Sequence, residues 1–212
     1  MTSTAKNETT HYKQKGIYEK LLCDVCEQHI NEFEKHVKIV FFDDMNYQDT
    51  GEPNQIKIVN LNYEKFKLFQ LSLIWRASVS SDDFFKNVSL GPHQEIIRKM
   101  ILQKKPGAPH DYGCLIIGLE LEKNASFDAI AMPKKGRFEN LNCYMFTIGG
   151  CIWQFIISRQ SHLFSHKKDF LQKDGSLLIR IIPANAVPSI NSFAKNLLHS
   201  GKVSDINKMI NK

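Results

Sequence analysis

Between residues 17 and 41 apolar side chains recur at steps of three and four, with Ile17, Leu21, Val25, Ile30, Phe33, Val37, Val40 and Phe41 on one side. Lys20, Asp24, Asn31, Glu34, Lys35 and Lys38 take the other side. This period predicts an amphipathic helix with one buried face, and the cysteines near its start mark where it can break. The stretch "NYQDTGEPN" is a turn-rich connector, and the alternating "IKIVN" after it reads as an edge strand or a hairpin arm. In "YEKFKLFQLSLIWRAS" the residues Phe66, Leu68, Phe69, Leu71, Leu73, Ile74 and Trp75 are too apolar all round for a surface helix. A central helix is expected there, with Leu71, Ile74 and Trp75 at its buried centre. "SSDDFF" supplies N-cap candidates. In "SLGPHQEIIRKMILQ" Pro92 suits a first helical position, and Ile96, Ile97, Met100 and Ile101 are expected to face inward.

The prolines and glycines of "KKPGAPHDYG" close that helix, and the period then changes to that of strands. "CLIIGLEL", "FDAIAM", "LNCYMFTI", "CIWQFIIS" and "LLIRIIP" are short β-branched and aromatic runs, with Gly149-Gly150 as a tight hairpin turn. They predict an antiparallel sheet of four to five strands. Helical spacing resumes in "VPSINSFAKNLLHSG", and Ser204 can cap a last helix. The expected class is α+β. Residues 1–15 read as a flexible arm, and 16–212 as a single domain with a helical lobe (16–105), a sheet lobe (111–183) and C-terminal helices (187–212).

Composition narrows this picture only slightly. The 212 residues are 42% hydrophobic and 24% charged, an ordinary globular balance. Twenty-eight Lys and Arg against 22 Asp and Glu leave a net +6, which favours a polyanion or an acidic partner and names neither. The basic residues look scattered along the chain. No run approaches the ~18 apolar residues of a membrane span, and the polar first residues lack a signal-peptide core. Five cysteines, an odd number in a chain of this size, point to reduced thiols. The expectation is a cytoplasmic protein without a membrane partner. Cys114, Cys143 and Cys151 lie in apolar runs and read as small buried hydrophobes.

Cys23 and Cys26 have the C-x-x-C spacing that lets two thiolates reach one tetrahedral metal. Zinc is the cofactor this suggests, but a structural site needs four ligands and no second C-x-x-C occurs. His11, His29 and His36 are the nearby imidazoles; two core-facing or vestigial thiols are the other reading. A thioredoxin-type redox pair would need a preceding strand in a βαβ unit, and none is predicted. Arg76 and His93 are candidate ligand-binding residues. Arg76 can hold a phosphate or carboxylate by its fork, or cap carbonyls at its own helix end. His93, near a helix N-terminus, can meet an anion or move a proton, or simply bond a neighbouring loop. His110-Asp111, Ser161-His162 and Ser165-His166 lack a nucleophile-elbow context and read as loop residues.

Two stretches, "KGIYEKLLCDVCEQHINEFEKH" and "LIWRASVSSDDFFKNVSLGPHQEIIRKMIL", resemble an uncharacterised bacterial family whose members begin with an HNH-endonuclease-like zinc finger. Leu22 to Glu27, Trp75 to Ser78 and Leu90 to His93 carry the resemblance. Such members open with an earlier C-x-x-C and a Ser-His-Ile-Ile-Pro stretch, which this chain lacks, and with them half the zinc site and the histidine base. The resemblance therefore implies a family member whose first few dozen residues are absent. The expected function is a non-catalytic or remnant HNH-like protein of mobile-element or phage-defence biology, which binds nucleic acid weakly and non-specifically or binds a protein partner. The alternative is a metal-dependent HNH-type nuclease whose missing ligands come from an N-terminal extension or a second chain. No catalytic residue is assigned.

Overall fold

The computed structural model describes residues 19–40, 46–120 and 130–187. The expected arm at 1–15 lies outside them, as do nearly all of the expected C-terminal helices.

Three helices form on the apolar periods. Helix α1, Asp24–Lys38, buries Ile30, Phe33 and Val37 at the three- and four-residue steps of its stripe. The stripe starts later than expected: Val25, in the first turn, is 75% exposed. Asp24 and Glu27 in the first turn and Lys35, His36 and Lys38 in the last complement the helix dipole. Helix α2, Tyr63–Val79, is capped by the Asn62 side chain, which accepts from the Lys65 N–H. It buries residues on every side, as its composition requires, and packs against both α1 and α3. Leu71 and Ile74 are enclosed. Trp75 is only partly buried, a correction to its expected place at the centre: its long indole packs at the margin of the core. Helix α3, His93–Leu102, buries Ile97 and Ile101, whereas Ile96 is exposed and Met100 packs at the margin.

The sheet is larger than expected and is not purely antiparallel. Its strands are β1 (Tyr47–Asp49), β2 (Gln55–Ile58), β3 (Cys114–Glu120), β4 (Ala131–Phe138), β5 (Leu141–Ile148), β6 (Cys151–Ile156) and β7 (Leu177–Pro183). The seven lie in the order β1-β2-β7-β3-β6-β5-β4, with β3 and β7 parallel and every other pair antiparallel. The expectation of four to five antiparallel strands is thus corrected to a seven-stranded mixed sheet. The "IKIVN" arm finds its partner in β7, with Ile56 opposite Ile179, a pairing no local pattern can announce. All three residues of β1 are exposed, so no buried alternation marks it. The strand expected at "FDAIAM" begins at Ala131 and runs on to Phe138. Gly149 and Gly150 make the β5–β6 turn with φ of 58° and 69°, as a two-residue hairpin needs.

One sheet face joins the helices in a single core, where Tyr144, Phe146, Trp153, Phe155 and Ile179 meet the side chains of α2. Phe66 stacks on Trp153 at 6.3 Å between ring centroids, and Phe69 meets the same indole edge-on at 6.0 Å. On the other face Leu115, Cys143 and Ile156 are covered by Phe164 and Phe170 from the segment between β6 and β7. Those two rings stack at 5.5 Å. Among the described residues no helix is long and apolar enough to cross a membrane.

The turn before β7 is locked to the start of α2: the Leu61 N–H donates to Gly175 O at 3.0 Å, and Gly175 has φ of 78°. A Cβ at Gly175 would collide with the Leu61 carbonyl oxygen. Gly175→Ala is therefore expected to destabilise by ~3 kcal/mol or more, because left-handed strain and a backbone clash act together. Gly150→Ala, with similar φ and open space around it, should cost only ~1–2 kcal/mol. Urea unfolding of the two variants beside the parent checks the difference.

Candidate functional site

The start of α1 places the C-x-x-C pair. Cys23 is the N-cap in extended conformation and Cys26 lies in the first turn, with Cys23 exposed and Cys26 half-buried. The segment before them is anchored by Glu19, whose carboxylate accepts from the Ser81 N–H at 3.0 Å and from the Ser80 and Ser81 hydroxyls just after α2. The Cys26 backbone N–H, and after it the Cys26 thiol, favour the Cys23 thiolate and hold the Cys23 pKa below the ordinary thiol value, although no regular cap bond forms. The same thiol–thiol hydrogen bond pushes Cys26 up. Arg98 of α3 partly offsets that rise, and Glu27 adds to it.

A closed zinc site needs four ligands, and the described residues supply two. Among them no group of three or more His, Cys, Asp or Glu side chains converges to hold a metal ion. His29 is turned to α3, its Nε2 2.9 Å from Ile101 O and its ring edge-on to Phe33. His36 accepts from the Asn62 N–H at 3.2 Å through Nε2, and His11 lies outside the described residues. Among the described residues Cys23 and Cys26 have no further ligands to complete a zinc site.

Arg76 and His93 sit apart from this pair and serve different contacts. The Arg76 guanidinium reaches Glu34 of α1 at 2.6 Å and donates to Ser72 O through Nε at 3.4 Å. It clamps α1 to α2. The His93 Nδ1 lies 3.0 Å from the Tyr112 hydroxyl, with the two rings edge to face. His93 thereby ties the start of α3 to the segment that enters β3.

Beside Tyr112 lies a residue that sequence reasoning passed over. Lys67 of α2 is 1% exposed, and its ammonium donates to Tyr112 O at 2.9 Å and Pro109 O at 3.3 Å. Burial pulls its pKa down to about 8, while Cys114 and Asp111 act in the opposite sense. Burial also raises the thiol pKa of Cys114 and the phenol pKa of Tyr63, whose hydroxyl donates to Gly107 O at 2.9 Å. The signal was present in the sequence: one cation inside the apolar run Phe66–Leu68 must be carried into the core with the helix that bears it.

Positive charge is also placed unevenly, which sequence spacing concealed. Residues 19–40 and 46–120 hold 12 Lys and Arg against 13 Asp and Glu, whereas residues 130–187 hold eight against three. Five cations of the first group pair with carboxylates among the described residues, Lys65 and Lys104 with Glu32, Arg76 with Glu34, and Arg98 and Lys99 with Glu95. In the second, Lys134, Lys135, Arg137, Lys167, Lys168 and Lys173 are exposed and form no ion pair among the described residues. The β4–β5 hairpin and the 159–173 segment meet through Phe138, 5.2 Å from Phe164 and 6.1 Å from His166 between ring centroids. Glu139 accepts from the Ser165 N–H at 2.9 Å and so joins the same two segments. On β4, Lys134 and Phe138 lie on the face covered by Phe164 and Phe170, whereas Lys135 and Arg137 alternate onto the other face. Unpaired positive charge is thus concentrated on β4 and on the 159–173 segment, which meet through Phe138.

No protein-family model, curated protein or solved structure matches the chain.

The Lys67 environment has a definite pH signature. Between about 8 and the ordinary value of 10.5 the unfolded chain holds a proton that the folded chain has released, so stability rises with pH. The whole interval would be worth ~3 kcal/mol. From about 9 upward the raised thiols of Cys114, Cys143 and Cys151 act oppositely, because the unfolded chain loses protons that the folded chain keeps. Tyr63 and Tyr112 join them from about 10. The net rise should fall between pH 8 and 9. Urea melts across that window are expected to show increasing stability for the parent and a flat or falling trend for Lys67→Met. Equal slopes in the two proteins would show that Lys67 titrates as an ordinary lysine.

Proposed function

We propose that the chain is a non-catalytic nucleic-acid-binding protein of HNH-like type, which holds a phosphate backbone with the cations of β4 and of the 159–173 segment. The observation that carries this reading is the set of six exposed cations at Lys134, Lys135, Arg137, Lys167, Lys168 and Lys173 without carboxylate partners among the described residues. Cations of this kind release counterions when they neutralise phosphates, which is the main source of affinity for nucleic acid irrespective of sequence. Phe138, 37% exposed where β4 meets the 159–173 segment, offers an apolar ring at that junction. Phosphate contacts position a strand and carry no sequence information. Binding is accordingly weak, sequence-independent and steeply dependent on salt. The proposal assigns no reaction. It leaves Arg76 and His93 as the clamps between elements that their contacts describe.

The expected outcome in a fluorescence titration with mixed-sequence DNA is a linear fall of log affinity with log salt. The slope should decrease by ~1 for each phosphate contact removed. Charge reversal at Lys134, Lys167 and Lys168 should flatten the slope and weaken binding to all sequences alike. Reversal at Lys35 of α1 and Lys99 of α3, away from β4, should change little. Unchanged slopes in the first set, or discrimination between sequences at moderate salt, would sink the proposal.

A further inference from the structure

The C-x-x-C pair has a geometry that metal ligation does not use up. Cys23 occupies the N-cap, at the positive end of a helix, and Cys26 lies three residues on in the first turn of the same helix. The two are unequal in access, with Cys23 exposed and Cys26 half-buried. The other three cysteines are poorer nucleophiles: Cys114 and Cys143 are buried, Cys151 is partly so, and burial raises all three thiol pKa values. Around the pair, Arg98 supplies a cation from α3, opposed by Asp24 and Glu27 of the first turn of α1. No carboxylate or imidazole from another element holds either thiol as a third ligand among the described residues.

We propose that Cys23 and Cys26 form a reversible dithiol–disulfide couple that exchanges with a disulfide substrate, Cys23 as the attacking thiol and Cys26 as the resolving one. The Cys23 thiolate attacks one sulfur of a disulfide RSSR, its S–S bond breaks, and one RS⁻ leaves while a Cys23–S–S–R mixed disulfide forms. Cys26 then gives up its proton, its thiolate attacks the Cys23 sulfur, and the second RS⁻ leaves. The pair loses two electrons, RSSR gains them, and the two thiol protons end on the two RSH molecules. The roles follow the placement: the exposed sulfur is favoured as thiolate by the Cys26 N–H and thiol, and the less exposed sulfur waits beside it. A βαβ unit is not needed for this, since the helix N-terminus and the two-residue spacing supply the chemistry.

The test uses the full chain and glutathione disulfide as the probe. In glutathione redox buffers, acid quenching, alkylation and peptide mass spectrometry should find one intrachain disulfide, Cys23 to Cys26, which appears and disappears with the two-electron dependence of ~30 mV per tenfold change in the equilibrium constant. Cys26→Ser should accumulate a glutathione mixed disulfide on Cys23, with the rate reaching half its maximum at lower pH than for an ordinary free cysteine. Cys23→Ser should react more slowly at Cys26. The parent titration depends on no variant, so a folding defect in either substitution leaves the proposal testable. Absence of the intrachain disulfide across the buffers would overturn it. So would faster capture at Cys26 than at Cys23, or tight binding of added zinc that blocks exchange.

Discussion

The ring of Phe66 lies flat on the indole of Trp153, and at that contact helices and sheet become one body. Helix α2 carries Phe66 and packs between α1, α3 and the sheet, so each polar side chain it buries needs a hydrogen-bond partner or costs stability. Ser72 meets this need by donating to Phe69 O one turn back, and Lys67 reaches the carbonyls of the segment leading into β3. Gln70, 1% exposed, finds no partner for its amide oxygen or nitrogen among the described residues. Such a group costs ~1–3 kcal/mol, which the aromatic contacts around Trp153 must outweigh. The position of the Lys67 ammonium, the course of residues 107–113 and the entry of β3 therefore follow from the decision to bury this one helix.

Legibility in the sequence tracked the range of the interaction. The spans of α1, α2 and α3 and the runs of β3, β5, β6 and β7 were readable because their periods are local: Ile30, Phe33 and Val37 announce a stripe without reference to any other segment. What was not readable depends on residues brought together late. Ile56 pairs with Ile179 across more than half the chain, and the parallel match of Ile116 with the same Ile179 reveals itself in neither strand alone. Arg76 looked free to bind a ligand because Glu34 lies 42 residues earlier. The meeting of β4 with the 159–173 segment was hidden for the same reason, since Phe138 and Phe164 are remote in sequence.

The two proposed activities occupy opposite sides of one architecture. The thiol pair sits on the helical layer, where cations and carboxylates are close to balanced. The cationic end sits where the β4 edge meets the segment that covers the far face of the sheet. Lysines on β4 serve an architectural end as well: an edge strand lined with charge resists pairing with another chain. One set of side chains thus keeps the sheet closed to strand addition and, in the proposed reading, supplies contacts to phosphates.

The parallel contact between β3 and β7 also bears on how the chain matures at the ribosome. β7 is laid between β2 and β3, both made long before it, so the middle of the sheet stays open until residue 183 has been synthesised. Trp153, the indole that receives Phe66, likewise emerges about 90 residues after its partner. During that interval α1, α2 and α3 can form as local helices, but the sheet-facing side of α2 has nothing to cover it. Non-local pairing of this kind is slow, and exposed apolar surface in the meantime invites aggregation. A nascent chain arrested before β6 is thus a substrate for chaperones, and the last strands act as the closing step of folding.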